Sequence, residues 1–365
     1  AEGGQKKFYD TVWLLSKTGW HVMTYQLPMP LAYGASVNLG DGVVCIGGND
    51  GQQSRREMYF LTQDTLFILP SLPFGLDNAA ATLYDGNIYL AGGQSDGQPN
   101  HKVLRIAYPQ GKEWEVVATM PGQARLQPAC CVQTSGTGKA LYIFGGYEPQ
   151  RGELANTILQ FDLTSRKWSE RAGCQATAGI TATPAGYSHV LFFGGVHRDI
   201  FPTAVRGEWG DDYLRQPATW YKFNRDILVD HTITNSWHSI PGRSFMARAG
   251  GGLVDTGDGY LLVDGETKPV IRGSEVVKIQ FQQERHFGAL NWIVLSLYLV
   301  GMLFLGIYFM RRESGSDDFF RGGGRVPWWA AGISIYATML SAITYMAIPA
   351  KAYATNWTYY PMLVT

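Results

Sequence analysis

With 365 residues and 30 basic side chains against 30 acidic ones, the chain is too long for one small domain and has no net charge. The basic surface that a nucleic-acid partner needs is therefore not indicated. Its 44 glycines and 13% aromatic content suit a turn-rich β protein, and four cysteines are too few for a disulfide framework.

In chain order, the first β-type stretch is KKFYDTVWLLSKTGWHVM, around Phe8 to Trp20. Then a pattern recurs: an apolar strand runs into Gly-Gly and a polar turn. It appears as VCIGGNDG from Val44, YLAGGQSDG from Tyr89, YIFGGYEPQ from Tyr142 and LFFGGVHRD from Leu191. A fifth copy, LLVDGETKP from Leu261, has Asp264 in place of the first glycine and Glu266 just after. The intervals from Gly47 through Gly92, Gly145 and Gly194 to Asp264 are 45, 53, 49 and 70, a blade-like period. Each unit has two inner strands ending at the glycine pair and two outer strands. The last of these carries a tryptophan in several units: Trp20, Trp114, Trp168 and Trp237. Cys45, Cys130 and Cys131 fall in strand-like runs, Cys174 in a turn. Adjacent Cys130 and Cys131 point to opposite sheet faces, so buried free thiols are expected.

This pattern resembles the kelch repeat. Inner halves occur five times. Outer halves occur six times, beginning near Phe8, Met58, Lys102, Asn156, Trp220 and Ser274. The expected fold is all-β: a six-bladed kelch β-propeller over residues 1–283, with the inner half of one blade missing, followed by two transmembrane α-helices. The longest interval holds Val196 to Trp220, either a lid over the central funnel or a surface excursion.

From Ala289 to Met310 there are 22 residues without a charge. As a helix they span roughly 33 Å at about 1.5 Å per residue, the thickness of a bilayer core. A second uncharged run goes from Val326 to Ala350. Transmembrane helices are expected over 287–311 and 327–352, with buried core helices as the alternative. The loop at 312–326 and its flank carry Arg311, Arg312, Arg321 and Arg325, which makes this side cytoplasmic and puts the propeller outside. In a bacterium the protein then sits in the inner membrane with the propeller in the periplasm and the lipid bilayer as a partner. No signal peptide is visible at Ala1, so sequence before it is expected.

The fifth turn concentrates charge. Asp264, Glu266, Lys268 and Arg272 lie within nine residues. Beside a funnel they bind and act on a small polar ligand; in a solvated turn they do neither. LLVDGETKPVIRGSEV closely resembles the corresponding segment of the N-acetylneuraminate epimerases, periplasmic six-bladed kelch mutarotases of sialic acid. Glu266, Lys268, Pro269 and Arg272 match that family's motif, while Asp264 and His197 replace asparagines. GGVHRDIF and FNRDILVDHTITNSWHSIP are similar to family segments too. The resemblance implies that Glu266 is the proton acceptor and that Arg272 meets the sugar carboxylate. The acid partner stays open among His197, Arg198, Arg248 and Tyr33, of which His197, Arg198 and Arg248 are also candidate substrate contacts. No metal or other cofactor is expected for the propeller.

DDFFRGGGRVPWWAAGISIYATMLSAITYMAIPAKAY resembles the start of a sodium:solute symporter. The resemblance implies that the carbonyls of Ala337 and Leu340 belong to a Na⁺ site, incomplete here, and that Ser341 and Thr344 face substrate. Together the two resemblances imply a sialic acid mutarotase fused to a Na⁺-coupled sialic acid importer. The alternative is a non-catalytic sugar-binding propeller that delivers ligand to the symporter.

Overall fold

The computed structural model describes residues 7–173, 175–281, 288–311 and 327–339. The chain divides into two compact units, one through Gln280 and one from Phe281.

The first unit opens on a hairpin, β1 (Tyr9–Ser16) and β2 (Gly19–Leu31). The first blade is β3 (Ala35–Asn38), β4 (Val43–Asn49), β5 (Ser54–Leu61) and β6 (Leu66–Leu69). The second is β7 (Asp77–Tyr84), β8 (Asn87–Ser95), β9 (Gln98–Pro99), β10 (Lys102–Ala107) and β11 (Glu115–Thr119), with β9 a short flap on β8. In the third, β12 (Ala129–Thr134), β13 (Lys139–Phe144), β16 (Thr157–Asp162) and β17 (Trp168–Ala172) form the sheet, and β14 (Tyr147–Glu148) pairs with β15 (Glu153–Leu154) as a ribbon. The fourth is β18 (Ile180–Ala185), β19 (His189–Gly194), β20 (Ile227–His231) and β21 (Ser236–Ile240). The fifth is β22 (Gly252–Asp255), β23 (Tyr260–Val263) and β26 (Val276–Ile279), with the ribbon β24 (Glu266–Lys268) and β25 (Ile271–Arg272). All strand pairs are antiparallel, in the manner of up-and-down blades.

Why the middle strands read as unbroken apolar runs follows from this stacking. A blade is covered on both faces by its neighbours, so Leu141, Tyr142, Ile143 and Phe144 of β13 are all buried. Phe144 meets Phe192 of the next blade edge-on at 4.5 Å between ring centres. Cys130 and Cys131 point opposite ways, into two different apolar clusters. Cys45, Cys130 and Cys131 are free thiols, and burial pushes Cys45 up to about 11 and Cys130 up to about 12. Trp114 Nε1 donates to the Pro70 carbonyl at 3.1 Å, pinning the second blade to the first.

Among the described residues the propeller has five blades and a hairpin rather than six full outer halves. The hairpin packs through β2 along β6 of the first blade, and Tyr25 Oη donates to the Thr62 carbonyl at 2.5 Å. Its other face leaves Tyr9, Trp13 and Val22 exposed. The fifth blade has one outer strand, β26. Trp220 does not open an outer strand. It lies in a 3-10 turn, Ala218–Tyr221, and the strand begins at Ile227. The insertion before it holds α1 (Ile200–Val205) and a second 3-10 turn, Gly210–Arg215.

In the second unit, α2 (Ala289–Met310) is a continuous helix over the first uncharged run. Among the described residues it is the one helix long and apolar enough to cross a membrane by length and composition. Leu297, Leu303 and Phe304 are exposed along it. The described part of the next helix, α3 (Trp328–Met339), has 12 residues, fewer than the about 20 that a bilayer crossing needs. Leu340, Ser341 and Thr344 lie outside the described residues, so of the symporter-type positions only Ala337 is placed, within α3.

Candidate functional site

A chain of backbone hydrogen bonds circles the propeller axis. Asn78 donates to Tyr33 (2.9 Å), Gln127 to Asn78 (2.8 Å), Gly179 to Gln127 (3.0 Å) and Gly250 to Gly179 (2.7 Å). All five residues take the left-handed backbone conformation, with φ between 50° and 63°. They sit at the start of β3, β7, β12, β18 and β22, the strands that touch one another around the axis. The links run from Tyr33 to Gly250, and among the described residues none joins Gly250 back to Tyr33.

One step outward lies a second tier. Asn49 pairs with Ala32, Gln94 with Asp77, Tyr147 with Leu126 and Glu266 with Ala249, while Val196 donates its N–H to Ala178 at 3.0 Å. Glu266 therefore occupies the same structural slot as Asn49, Gln94, Tyr147 and Val196, on the axial rim. Its backbone is held on both sides, since Glu266 N donates to Ala249 O (2.7 Å) and Ala249 N donates to Glu266 O (2.9 Å).

Glycine dominates the position two residues before this slot for a steric reason. A Cβ on Gly194, at φ +72°, falls 2.5 Å from the Arg248 carbonyl of the next blade. Asp264 stands at the corresponding place in the fifth blade, also left-handed at φ 55°. Among the described residues no inner strand follows β22 around the axis, so its side chain has room. Asp and Asn are the non-glycine residues that best tolerate this conformation.

The ribbon after Asp264 builds the charged group. Lys268 pairs with Ile271 across a two-residue turn, Pro269–Val270, and a one-residue register shift in the ribbon then places Arg272 opposite Glu266. Val270 takes φ 63°, an unfavourable corner for a β-branched residue, of the kind that persists where the surroundings dictate the geometry. Arg272 Nη1 bonds Asp264 Oδ2 at 3.0 Å, and both side chains are about half exposed. Arginine's planar fork leaves further donors for an incoming carboxylate.

The insertion closes on this corner. Its 3-10 turn Ala218–Tyr221 packs against β24. Arg206 Nη1 donates to Gly152 O at 2.8 Å and Phe201 meets Tyr147 edge-on at 5.7 Å, so the insertion also reaches the third blade. Trp209, Tyr213, Trp220 and Tyr221 form an edge-to-face cluster within it. Burial chiefly, with Tyr221 and the Glu266 carboxylate adding, pushes the Tyr213 hydroxyl up to about 12.

The other sequence candidates are dispersed. His197 and Arg198 follow the slot residue Val196 and flank Asp199, at 3.9 Å and 3.5 Å. Tyr33 starts the axial chain and meets Phe8 edge-on. Arg248 is 1% exposed and belongs to the wall: its guanidinium donates to the carbonyls of Asp264 (2.7 Å), Phe245 (2.8 Å) and Glu275 (3.2 Å). Burial lowers its pKa, and its part is to brace the Asp264 turn. Tyr213 was not singled out from sequence, although the aromatic density of the insertion was a signal. A polar cavity of about 150 Å³ lined by Arg125, Glu148, Arg151 and Glu170 lies in the third blade, away from Glu266. Among the described residues no cluster of His, Cys, Asp and Glu is suited to hold a metal.

Residues 69–295 match the sequence profile described as N-acetylneuraminate epimerase. The chain belongs to the N-acetylneuraminate epimerase family. It is 24% identical over 273 residues to the N-acetylneuraminate epimerase of Vibrio vulnificus, covering 63% of this chain and 69% of that one. The solved structure titled "Structure of YjhT" shares the fold with a TM-score of 0.55 and 16% identity, over 74% of this chain and 87% of that one. A 77-residue stretch is 57% identical to the sodium/sialic acid symporter SiaT of Proteus mirabilis, which is 21% of this chain and 16% of that symporter. An epimerase-family propeller is thus joined to a symporter-type segment, and the chain spans only about a sixth of the symporters it matches.

Proposed function

We propose that the propeller interconverts the anomers of N-acetylneuraminate and supplies the sugar to a Na⁺-coupled sialic acid symporter of which this chain carries the first helices. The observation that carries the reading is the placement of Glu266 on the axial rim, directly opposite Arg272. Anomerisation of a 2-keto sugar acid opens and recloses the ring. Glu266 takes the proton of the anomeric hydroxyl as the ring C–O bond breaks, a role worth roughly 10²–10⁴-fold in rate. Arg272 holds the sugar carboxylate and keeps the anomeric centre over Glu266.

The open axial ring is read as one that a sixth blade closes, with the β1–β2 hairpin as its outer half. In the membrane reading, α2 and α3 belong to spans over 287–311 and 327–352, with the 312–326 loop in the cytoplasm and the propeller in the periplasm. Ala337 and Leu340 would offer carbonyls to Na⁺, and Ser341 and Thr344 would face the transported sugar.

The test is NMR exchange on N-acetylneuraminate with the full chain. Wild-type protein is expected to shorten the approach to anomeric equilibrium and Glu266→Gln to abolish the effect while still binding sugar. Binding without any acceleration by the wild type would replace the enzyme with a delivery module.

A further inference from the structure

Ring opening needs an acid as well as a base, because the ring oxygen leaves as a hydroxyl. We propose that Tyr213, carried by the insertion of the fourth blade, is the proton donor that works opposite Glu266 in the fifth. This rests on the mutarotase reading.

Placement is the main argument. The turn Ala218–Tyr221 packs on β24, the strand that Glu266 begins. Tyr213 is locked to that turn by edge-to-face contacts with Tyr221 (5.3 Å) and Trp220 (6.3 Å), and its carbonyl accepts the Tyr221 hydroxyl. The Glu266 carboxylate is near enough to act on the Tyr213 hydroxyl electrostatically. Two residues of different blades are thereby brought to one corner of the rim.

The hydroxyl itself is poised to donate. A buried tyrosine usually gives its O–H a partner. The half-buried Tyr213 hydroxyl makes no hydrogen bond to another described residue, and the groups acting on it do so through charge alone. Burial keeps it protonated up to about 12, so the proton is present at any physiological pH. The other acid candidates are engaged or placed elsewhere: His197 and Arg198 flank Asp199, Arg248 is committed to three carbonyls, and Tyr33 packs its ring on Phe8 before the first blade.

The step balances. The anomeric O–H proton passes to Glu266, its electron pair forms the C=O, the bond from the anomeric carbon to the ring oxygen breaks, and the Tyr213 proton goes to that oxygen. Rotation about the bond next to the carbonyl presents its other face. On closure the hydroxyl attacks the carbonyl carbon, returns its proton to the Tyr213 phenolate, and the new anomeric oxygen recovers the proton from Glu266. No oxidant, reductant or metal takes part, and both residues end as they began.

Tyr213→Phe tests this in the full chain, because it keeps the ring and its edge contacts. The exchange rate is expected to fall about 10²–10⁴-fold, like that of Glu266→Gln, with the sugar Kd changed less than about threefold. Tyr213→fluorotyrosine, which lowers the phenol pKa without altering the fold, is expected to restore activity with an alkaline limb moved to lower pH. A Tyr213→Phe protein that exchanges anomers at the wild-type rate overturns the proposal and leaves the Glu266 reading intact. So does a rate loss matched by an equal loss of affinity, which would make Tyr213 a sugar contact only. A wild type without acceleration overturns both.

Discussion

Glu266 and Arg272 are directly opposed across the β24–β25 ribbon, yet the Arg272 guanidinium bonds Asp264. Directly opposed residues of an antiparallel pair share a face, with Cβ atoms about 4.5–5.5 Å apart. In the proposed mutarotase reading, a base and an anion clamp on one face address two groups on the same carbon of a small sugar acid, and Asp264, outside that pair, holds the clamp.

This division of labour separates two substitutions. Glu266→Gln keeps shape and hydrogen bonding but not basicity, so anomer exchange is expected to drop about 10²–10⁴-fold with binding retained. Arg272→Met removes charge-assisted hydrogen bonds worth about 1.5–3 kcal/mol, so Kd for the anionic sugar is expected to rise about 10–100-fold. Exchange NMR and titration calorimetry on the two variants check this; identical profiles would mean the two residues do not divide binding and chemistry.

If Arg272 holds the sugar carboxylate as proposed, Asp264 competes with the ligand for the same guanidinium. In Asp264→Asn the side chain can still adopt the left-handed turn at φ 55° but no longer carries charge. Sugar affinity is expected to rise, by up to about fivefold, the scale of a half-exposed ion pair of up to about 1 kcal/mol. Calorimetry at low and high salt reads it, and the gain should shrink as salt screens the pair. An unchanged Kd at low salt would show that Asp264 does not restrain Arg272.

The repeat was legible because its cause is steric and local. Wherever a next blade follows, its carbonyl stands where the first glycine's Cβ would be, so the glycine pair marks each blade in the sequence. Gly194→Ala should accordingly cost at least about 1–3 kcal/mol, from the left-handed backbone alone, and more from the 2.5 Å approach to Arg248 O. Asp264→Gly should change stability by less than about 1 kcal/mol. Urea titration of the two variants decides it. An Asp264→Gly protein as damaged as Gly194→Ala would mean that the fifth turn depends on its Asp264–Arg272 pair for folding.

What the sequence hid has an equally physical origin. Trp220 looked like the start of a strand because aromatic residues favour strands, but its ring is held by Trp209, Tyr213 and Tyr221 in a turned segment, and tertiary contacts overrode propensity. Arg248 looked like a ligand contact because it is a cation near the fifth turn. Only the fold reveals three carbonyls around its guanidinium. Tyr213 comes within electrostatic range of Glu266 from 53 residues upstream, through an insertion with no repeat pattern to align it. The β1–β2 hairpin is expected from sequence as the outer half of a sixth blade; among the described residues it is a separate two-stranded sheet along β6.

Arg171 and Asp230 clamp the third blade to the fourth, and their stability contribution should depend on pH. Asp230 is fully buried and receives Arg171 at 2.9 Å and 3.3 Å on its two oxygens. Burial raises its pKa above the usual carboxylate value, with Arg171 opposing. A folded-state pKa above the unfolded one means that the native state binds the extra proton. Stability is then greatest below about pH 4 and falls as pH climbs through the window up to the raised value. Arg171 limits that fall by favouring the ionised form. Arg171→Ala leaves a buried carboxylate without its partner, expected to cost about 3–5 kcal/mol at pH 7. At pH 4 Asp230 can take up a proton instead, so the cost should be clearly smaller. Urea titrations of wild type and variant at both pH values measure the difference. Equal costs at pH 4 and pH 7 would assign the loss to the packing of Arg171 on the Tyr142 ring, 5.7 Å from its centre, rather than to charge. Adding Asp230→Asn to Arg171→Ala should remove the pH dependence of the loss, since the group that titrates is then gone.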